Sequence, residues 1–462
     1  MTRPDAPGPP PWRVIFRGGR GRLAAGLLLA ELVIGMQSLV VTTVLPVAAT
    51  ELTGLQLYGL AFAVYAAAQL ATLPVGGSWS DRTGPRTPFL VGAALTTAGL
   101  LLAGAAPTFG LVVVARAVEG LGAGLQYAVA FASIAKGFPP AWRPRLLSLN
   151  AAMWIAPALL GPPVGSLITA VAGWRWAFFG FVPVLLVAVV LVAGPLGSLP
   201  ATAEPDARLP WRASVVGASG VGALTYGLTL LADHPAPGWS LVVVGTVAAG
   251  VALRRLWPVG TWRARRGLPA AVASVGLGDA AYFGAFPFLT LLLIGRYQLG
   301  AAAAGGTVMV STLAWSLASL AQPTLLRRWG SARTTRVAAA GLVAAALLLV
   351  GSTLTPQLVA VYVAAAVLGL GMGLSYPTVT GAVLSTAPVA TQGSASAAGL
   401  LAGTVGSALA TGIAGAVLAL TPSLPVGLAV VFALSGGTAL LLALVAPRLV
   451  PEDPAGVSAR HR

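Results

Sequence analysis

Residues 77–86 read Gly-Ser-Trp-Ser-Asp-Arg-Thr-Gly-Pro-Arg and lie between two long apolar stretches. Only 8% of the 462 residues are charged, so three charged side chains within ten residues stand out. A helix must end here, because Gly84-Pro85 cannot continue one and Pro85 restricts the residue before it. The segment is predicted to be a tight, charged turn between two helices. An ordinary polar loop is the alternative interpretation of these residues alone.

The composition of the whole chain is that of a membrane protein. It is 57% hydrophobic with a mean hydropathy of +0.88, whereas a soluble domain carries about 25% charged residues. A membrane-spanning helix needs about 20 apolar residues. This criterion predicts fourteen spans: 23–48, 57–79, 88–106, 108–135, 146–172, 175–198, 213–232, 239–257, 268–295, 301–326, 335–355, 357–384, 395–420 and 426–446. The seventh and eighth rest on hydropathy alone.

Basic residues fall mainly on one side of this topology. The termini and alternate loops hold 24 of the 27, and the exceptions are Arg116, Arg175 and Arg296. The positive-inside rule therefore predicts a multi-pass protein of the cytoplasmic membrane with both termini in the cytoplasm. The net charge of +16 then reflects topology, and no nucleic-acid partner is expected, since no basic stripe interleaved with aromatic residues occurs outside the loops.

The N-terminal segment, the absence of cysteine and the residue usage each narrow the class of protein further. The Arg-rich N-terminus precedes an apolar run that is too long for a signal peptide and carries Glu31, so it is interpreted as the first span. Cysteine is absent, which excludes disulfides and thiolate metal sites. One Lys among many Arg, Ala, Gly and Pro residues suggests a bacterial source.

The chain also repeats itself. Gly-Leu-Gly-Ala-Gly-Leu-Gln-Tyr at 120–127 returns as Gly-Leu-Gly-Met-Gly-Leu-Ser-Tyr at 369–376, an offset of 249. Pro74 and Pro323 share that offset, and glycine with basic residues follows each, at 84–86 and 330–333. The offset exceeds half the chain, as expected if an insert separates two related six-helix halves.

An all-α fold of two six-helix halves plus two inserted helices is therefore predicted. Its parts are an N-terminal tail, an N-terminal half, a linker with the inserted helices, a C-terminal half and a C-terminal tail: 1–22, 23–199, 200–267, 268–446 and 447–462. The inserted pair has no charge within the bilayer before Arg254 and Arg255 and is interpreted as a spacer.

Several motifs resemble those of the major facilitator superfamily. The opening segment forms Gly-x-x-x-Asp-Arg-x-Gly-x-Arg, which resembles the family's gating loop between the second and third spans; its residues are Gly77, Asp81, Arg82, Gly84 and Arg86. Thr87 stands where a further basic residue is common. In the fourth span, residues 116–122 resemble Arg-x-x-Gln-Gly-x-Gly, with Glu119 in place of Gln.

Other motifs resemble the fourteen-span drug/proton antiporters. The exporter signature Gly-Pro-x-x-Gly-Gly is approximated by Gly161, Pro162 and Gly165, with Ser166 as its last residue. Residues 174–179, Trp-Arg-Trp-Ala-Phe-Phe, are typical of these antiporters. Residues 36–46 are similar to their Leu-Asp-x-Thr-Ile-Val-Asn-Val-Ala-Leu-Pro, but Gln37 occupies the acidic position. An alternative interpretation of the glycines and prolines at 161–165 is plain helix packing.

The resemblance implies a secondary transporter that exports hydrophobic or amphipathic molecules, with multidrug efflux and antibiotic resistance as the expected phenotype. A proton gradient would drive it by antiport with alternating access, without a cofactor or metal, and the protein is expected to work as a monomer. No phosphate-binding loop occurs, so ATP drive is not expected. An exporter of lipid or another specific amphiphile is the alternative. A membrane enzyme or sensor is disfavoured, because no metal-ligand or nucleophile–base cluster occurs.

Buried charge marks the candidate proton-coupling residues, which are Glu31, Asp279, Glu119 and Arg116. Burial favours the protonated form of a carboxylic acid, so such a group can carry a proton. Arg116 would hold the proton off Glu119, so Asp279 and Glu31 rank ahead of it. Asp279 precedes Pro287 by eight residues and Gln37 precedes Pro46 by nine, which suggests that the acid has moved between the halves.

Each acid also has a structural alternative. Glu119 could form a permanent ion pair with Arg116, and Glu31 could reach a water-filled vestibule without coupling. The predicted substrate cavity is largely aromatic, and its residues are Gln37, Tyr127, Trp154, Tyr282, Phe283, Phe286 and Tyr376. These aromatic side chains could instead be packing residues. The identity of the substrate cannot be predicted from them.

Overall fold

A computed structural model describes residues 16–139, 146, 153, 155–201, 211–387 and 392–449. Within these ranges the chain is helical and contains no strand. The helices are α1 (Gly18–Glu51), α2 (Tyr58–Thr83), α3 (Arg86–Gly104), α4 (Phe109–Gly137), α5 (Ile155–Ala172), α6 (Phe181–Gly197), α7 (Trp211–Leu230), α8 (Pro235–Leu256), α9 (Leu268–Phe283), α10 (Ala301–Leu354), α11 (Leu358–Thr386), α12 (Gln392–Leu420) and α13 (Leu424–Val445). A short helix, Trp176–Phe179, precedes α6, and α9 continues through Phe286–Leu291 into a π-helical turn, Leu292–Arg296.

Twelve helical segments of the described chain are long and apolar enough to cross a membrane. This number is two below the predicted fourteen for identifiable reasons. Helix α5 is described only from Ile155 and contributes a shorter apolar stretch, Leu159–Ala172. Helix α10 is 54 residues long and covers the positions of two predicted spans.

The predicted turn within 77–86 is present but shorter than expected, because residues 77–83 are the last turns of α2 and only Gly84 and Pro85 separate the two helices. Helix α2 ends at Thr83 and α3 begins at Arg86. Between them Gly84 has φ 83° and ψ 161°, a conformation that is essentially restricted to glycine. Helix α10 contains the same feature, because Gly330 has φ 71° and ψ 170°. It divides α10 into two arms, 301–329 and 331–354, at the position where the second half repeats the turn of the first.

The internal repeat is visible in helix packing. A Cβ added at Gly120 of α4 would meet the carbonyl oxygen of Tyr65 and the Cβ of Ala68, both in α2. At Gly369 of α11 it would meet the carbonyl oxygen of Ser311 and the Cβ of Ala314, both in α10. Absent side chains thus let the backbones approach closely in both halves.

This packing corrects one part of the predicted repeat. A Cβ added at Gly124 would meet the carbonyl oxygen of Gln69, and one added at Gly373 would meet that of Trp315. The offset is 249 between α4 and α11, but 246 between α2 and the first arm of α10. Pro74 is therefore not the structural counterpart of Pro323. The proline match is a coincidence in two helices rich in small residues.

The inserted helices α7 and α8 pack on each other through glycines and contact both halves. A Cβ at Gly220 of α7 would meet the Ala249 backbone of α8. One apolar cluster joins α7 and α8 to α2 and α12; it contains Ala67, Leu70, Ala218, Val221, Ala249, Leu253, Leu401, Val405 and Ala408. The pair therefore packs against α2 of the first half and α12 of the second, and its interpretation as a spacer stays a prediction.

The two halves share a core at one end of the molecule. The largest apolar cluster includes Val44 and Leu45 from α1 together with Phe286 and Leu289 from the segment after α9. Toward the opposite end the clusters separate. One contains residues of α1, α3, α4 and α6 only, and another contains residues of α9, α11, α12 and the C-terminal end. The structure is therefore closed at the end where α1 terminates, near Glu51.

Candidate functional site

A buried polar cluster joins α1 to α4. The side-chain amide of Gln37 donates a hydrogen bond to Glu119 Oε2 at 2.8 Å, and Arg116 forms an ion pair with the same carboxylate. Arg116 Nη1 also lies 3.4 Å from Gln37 Oε1, to which it donates. All three residues are at most 5% exposed. Arg116 and Glu119 are three residues apart, which puts them on one face of α4.

Tyr65 of α2 completes this polar cluster. Its ring centroid lies 4.0 Å from Arg116 Cζ, so the guanidinium sits between a carboxylate and an aromatic face. Tyr65, Gln37 and Glu119 line a small cavity together with Thr96 and apolar residues. Arg116 Nε and Glu119 Oε1 have no hydrogen-bond partner among the described residues. The cluster therefore keeps one hydrogen-bond donor and one acceptor that its internal contacts do not satisfy.

Sequence reasoning anticipated the ion pair between Arg116 and Glu119, assigned Gln37 to the substrate cavity instead, and missed Tyr65. Tyr65 carried no motif. Gln37 and Glu119 were each noted as departures from the antiporter motifs, an amide for an acid in α1 and an acid for an amide in α4. The two departures are in contact, because Gln37 and Glu119 share a hydrogen bond. The antiporter motifs have an acid at the α1 position and an amide at the α4 position, and this chain has the amide in α1 and the acid in α4.

Asp279 lies in different surroundings from Gln37. It packs against Gly403 of α12, where an added Cβ would overlap its carboxyl oxygen Oδ2. Its other oxygen, Oδ1, has no hydrogen-bond partner among the described residues. Gln37 faces α4, whereas Asp279 faces α12, so the two side chains are directed at different neighbours. Asp279 is a half-buried carboxyl without an ion pair among the described residues, and its Oδ1 atom is buried.

Glu31 is the third candidate acid, with 2% of its surface exposed. It is close enough to Tyr127 of α4 to interact electrostatically, and Tyr127 interacts in the same way with Tyr376 of α11. Tyr376 in turn lies within electrostatic range of Asp279. Tyr127 and Tyr376 are the last residues of the two repeated segments, which lie 249 residues apart in α4 and α11.

The other predicted cavity residues form an aromatic cluster in the second half. The ring of Tyr282 stacks on Phe286 at a centroid distance of 4.9 Å and meets Phe283 edge-on at 5.1 Å. Trp315 joins Tyr282 and Tyr376, at 5.0 and 6.1 Å. Sequence reasoning missed Trp315. Trp154 lies outside the described residues, and Gln37 belongs to the polar cluster instead.

The motif in α5 is a close-packing surface. Gly161 faces Leu39 and Gly165 faces Val40 and Thr43, all in α1. Ser166 donates a hydrogen bond to the carbonyl oxygen of Pro162 at 2.8 Å and lies 3.0 Å from that of Ala301, in the other half. The motif thus positions α5 against both α1 and the first arm of α10.

Other polar contacts join the two halves at the closed end of the molecule, near Glu51. The Tyr58 hydroxyl donates to the carbonyl oxygen of Pro287 at 2.7 Å, and Thr290 donates to that of Thr42 at 2.7 Å. Glycines allow two matching close approaches there. A Cβ added at Gly59 of α2 would meet the backbone of Thr411 and Gly415 in α12. One added at Gly305 of α10 would meet Pro162 and Ser166 in α5. Since 59 and 305 differ by 246, the two seams between the halves are related by the internal repeat.

The gating-loop motif lies at the opposite end. Lys136 of α4 donates a hydrogen bond to the Ser80 carbonyl oxygen at 3.2 Å. Arg82 and Arg86 are exposed on either side of Gly84, and a Cβ at Gly77 would meet nothing within 4 Å. The side chain of Asp81 lies outside the described part. The loop is therefore tied to α4 but remote from the polar cluster around Glu119.

No group of three or more potential metal ligands occurs in the described part of the chain. The sequence profile of the Major Facilitator Superfamily matches residues 27–411. A probable multidrug-efflux transporter of Mycobacterium tuberculosis is 26% identical over 404 residues, which are 81% of this chain and 83% of that protein. Multidrug resistance protein 3 of Bacillus subtilis is 31% identical over 159 residues, and the match covers 34% of this chain and only 31% of that protein.

Solved structures agree with the fold. A POT family transporter in complex with 5-aminolevulinic acid superposes with a TM-score of 0.69 at 15% identity, covering 93% of this chain and 96% of that one. The human organic anion transporter MFSD10 superposes with a TM-score of 0.63 at 16% identity, covering 93% and 100%. At these identities the comparison concerns the fold alone.

Proposed function

The chain belongs to the major facilitator superfamily of membrane transporters, and we propose that it exports hydrophobic or amphipathic small molecules by proton antiport. Two relatives support the direction and the substrate class, because both are described as multidrug transport or resistance proteins. The aromatic cluster around Tyr282 and Trp315 offers apolar faces that suit such substrates. No enzymatic activity is proposed.

The hydrogen bond between Gln37 and Glu119 carries the proton-coupling part of the proposal. In the resembling antiporters the acid stands at position 37, and here it stands across the contact, at position 119. We therefore place the transported proton on Glu119, ahead of Asp279 and Glu31. Arg116, which was the reason to rank Glu119 last, becomes its switching partner instead.

The polar cluster offers Arg116 other partners when Glu119 takes up a proton. The O–H bond forms at the carboxylate with a proton from water, and the ion pair loses its charge attraction. The guanidinium then keeps Gln37 Oε1 at 3.4 Å and the Tyr65 ring at 4.0 Å. An isolated buried charge would be costly, and these contacts reduce that cost. Release of the proton to water restores the ion pair.

Alternating access places these steps on opposite faces of the membrane. With the positive-inside orientation, the end near Glu51 is outside, so the end at which the halves share a core is the outer one. Glu119 would release its proton inward while this end stays closed. Rocking of the halves about the site would open the seams formed by Gly59 and Gly305 and expose the site outward.

Fourteen spans fit the described helices. The two arms of α10, separated by Gly330, are each long enough to cross a bilayer, and α5 lies directly after residues outside the described part. Counting these gives two six-helix halves with α7 and α8 as the inserted pair. This even number puts both termini on the same side, and the positive-inside rule makes that side the cytoplasm.

The test is transport in proteoliposomes with an imposed pH gradient, screened against lipophilic cations, neutral drugs and lipids. Glu119→Gln should abolish gradient-driven efflux and keep counterflow without a gradient, because the carboxyl is needed only for coupling. Glu51→Gln, an exposed acid at the end of α1, is the matched control and should keep both activities. Full gradient-driven efflux by Glu119→Gln would refute coupling at this residue, and a response to lipids alone would favour a lipid exporter.

A further inference from the structure

A basic cavity lies beside the gating loop, at the end of the molecule opposite the closed one. Its volume is about 790 Å³, within the ~300–1,000 Å³ that is usual for ligand pockets. The start of α1, the end of α4 and the end of α6 form its walls. None of the residues considered for transport lines it, so it is separate from the site around Glu119.

Four cationic side chains converge on this cavity: Arg17, Arg20, Arg22 and Lys136. No acid occurs among the described residues that line it. These cations lie on two elements, the start of α1 and the end of α4, and together they give the cavity a positive potential that attracts an anion. Arg17, Arg20 and Arg22 are exposed, so an anion can reach them from the surface.

The remaining walls of the cavity are suited to a lipid rather than to a free anion. Leu23, Pro195 and Leu199 line it, and Gly194 and Ser198 face it from the end of α6. The outer face of α6 continues directly from this point. Val187 and Val190 are 53% and 77% exposed, and their spacing places them on the face of Gly194. An acyl chain can follow these valines while its headgroup occupies the cavity.

We propose that this cavity binds the phosphate headgroup of an anionic phospholipid from the adjacent leaflet. The arginines neutralise the phosphate and the lipid tails lie along α6. Basic pockets between spans on the cytoplasmic side have the chemistry for such headgroups. The proposal does not depend on proton antiport or on the substrate.

The bound headgroup would act on the gating loop, because the cavity shares a wall with it. Lys136, in the cavity, holds the Ser80 carbonyl oxygen at 3.2 Å at the end of α2. A Cβ at Gly84 would lie 3.5 Å from the Leu199 carbonyl oxygen, and one at Gly197 would lie 3.3 Å from Arg86 Cδ. Occupancy of the cavity therefore stabilises the loop and α6 in the arrangement described.

The experiment measures lipid binding to the purified full chain by native mass spectrometry and by thermal shift. The protein is held in phosphatidylcholine-containing micelles and titrated with phosphatidylglycerol or with inorganic phosphate. The variants are Arg17→Gln/Arg20→Gln/Arg22→Gln and Gly194→Phe. The second fills the cavity without removing charge, and a Cβ at Gly194 meets nothing within 4 Å, so the variant should fold. Arg327→Gln/Arg328→Gln/Arg333→Gln removes the same charge beside the break at Gly330, the counterpart of the gating loop in the other half, and is the control.

Each removed arginine should weaken phosphatidylglycerol binding about fivefold, so the triple variant should bind about a hundredfold more weakly. Gly194→Phe should lose a similar amount, and the control should bind like the unmodified protein. An equal loss of phosphatidylglycerol binding in the control variant would mean that the lipid is attracted to the basic surface in general, and it would overturn the proposed site. An equal thermal shift from inorganic phosphate, with displacement of the lipid, would assign the cavity to a soluble anion and overturn the lipid. Unchanged binding by Gly194→Phe would also contradict the proposal.

Discussion

Gly84 and Gly330 adopt the same backbone conformation at equivalent positions of the two halves, with φ and ψ of 83° and 161° in one and 71° and 170° in the other. At both glycines one helix ends and the next begins directly after it, because neither backbone conformation is helical. The charged turn is thus a repeated element of the fold.

Gly84→Ala and Gly330→Ala should each lower the thermal unfolding midpoint and reduce transport, because this conformation costs a non-glycine residue about 1–3 kcal/mol. Substrate binding should persist, since both positions are remote from the polar cluster. Differential scanning fluorimetry and proteoliposome transport measure the two effects.

The control for this pair is Gly351→Ala, a helical position in α10 where an added Cβ meets nothing within 4 Å. It should be neutral or slightly stabilising. If it lowers transport as much as Gly84→Ala does, added bulk or altered expression explains the loss better than backbone strain.

The turn at Gly84 could be predicted from sequence because its signals are local. Gly-Pro favours the end of a helix, and the charged residues beside Gly84-Pro85 mark a surface in an apolar chain, whereas Gly161-Pro162 has no charged neighbours and lies within α5. The register of the repeat could not be predicted equally well. Gly120 and Gly369 gave the offset of 249 for one helix of each half, but the 246-residue offset of the preceding helix depends on which backbone each glycine contacts.

The candidate site illustrates the same limit over longer separations. Gln37 and Glu119 are 82 residues apart, and each looked like an isolated departure from a motif. Only the packing of α1 against α4 shows that they share a hydrogen bond. Tyr65 was missed because a tyrosine within an apolar span carries no signal until its ring is found against Arg116.

The inserted helices provide a prediction on topology. The chain has no cysteine of its own, so single cysteines at His234→Cys and Arg263→Cys can be labelled cleanly. Both positions are exposed, at the two ends of α8. In intact cells a membrane-impermeant maleimide should label position 234 from outside, and position 263 should react only after permeabilisation. Labelling of position 234 only from inside would show that α7 and α8 do not cross the membrane as a pair.

Asp279 provides a prediction on packing. Gly403→Ala should lower the unfolding midpoint, because its Cβ would overlap the Asp279 carboxyl, and overpacking costs about 1–3 kcal/mol. The loss should be smaller in an Asp279→Ala background, where the obstructing group is gone. Gly399→Ala, whose Cβ would meet Val383 at an ordinary 3.6 Å, is the control. Equal losses with and without the Asp279 side chain would mean that Gly403 is needed for another contact.

Exchange of the acid and the amide across the polar cluster gives the sharpest prediction. Gln37→Glu/Glu119→Gln keeps one carboxylate and one amide in the same contact beside Arg116, so it should recover most of the gradient-driven efflux that Glu119→Gln loses. Gln37→Glu alone adds a second buried acid next to Glu119 and should shift the pH dependence of efflux. Efflux rates against pH for the four proteins form a double-mutant cycle. If the double variant is no better than Glu119→Gln, the proton site is tied to α4 itself or lies elsewhere, and the 37–119 contact does not define the coupling group.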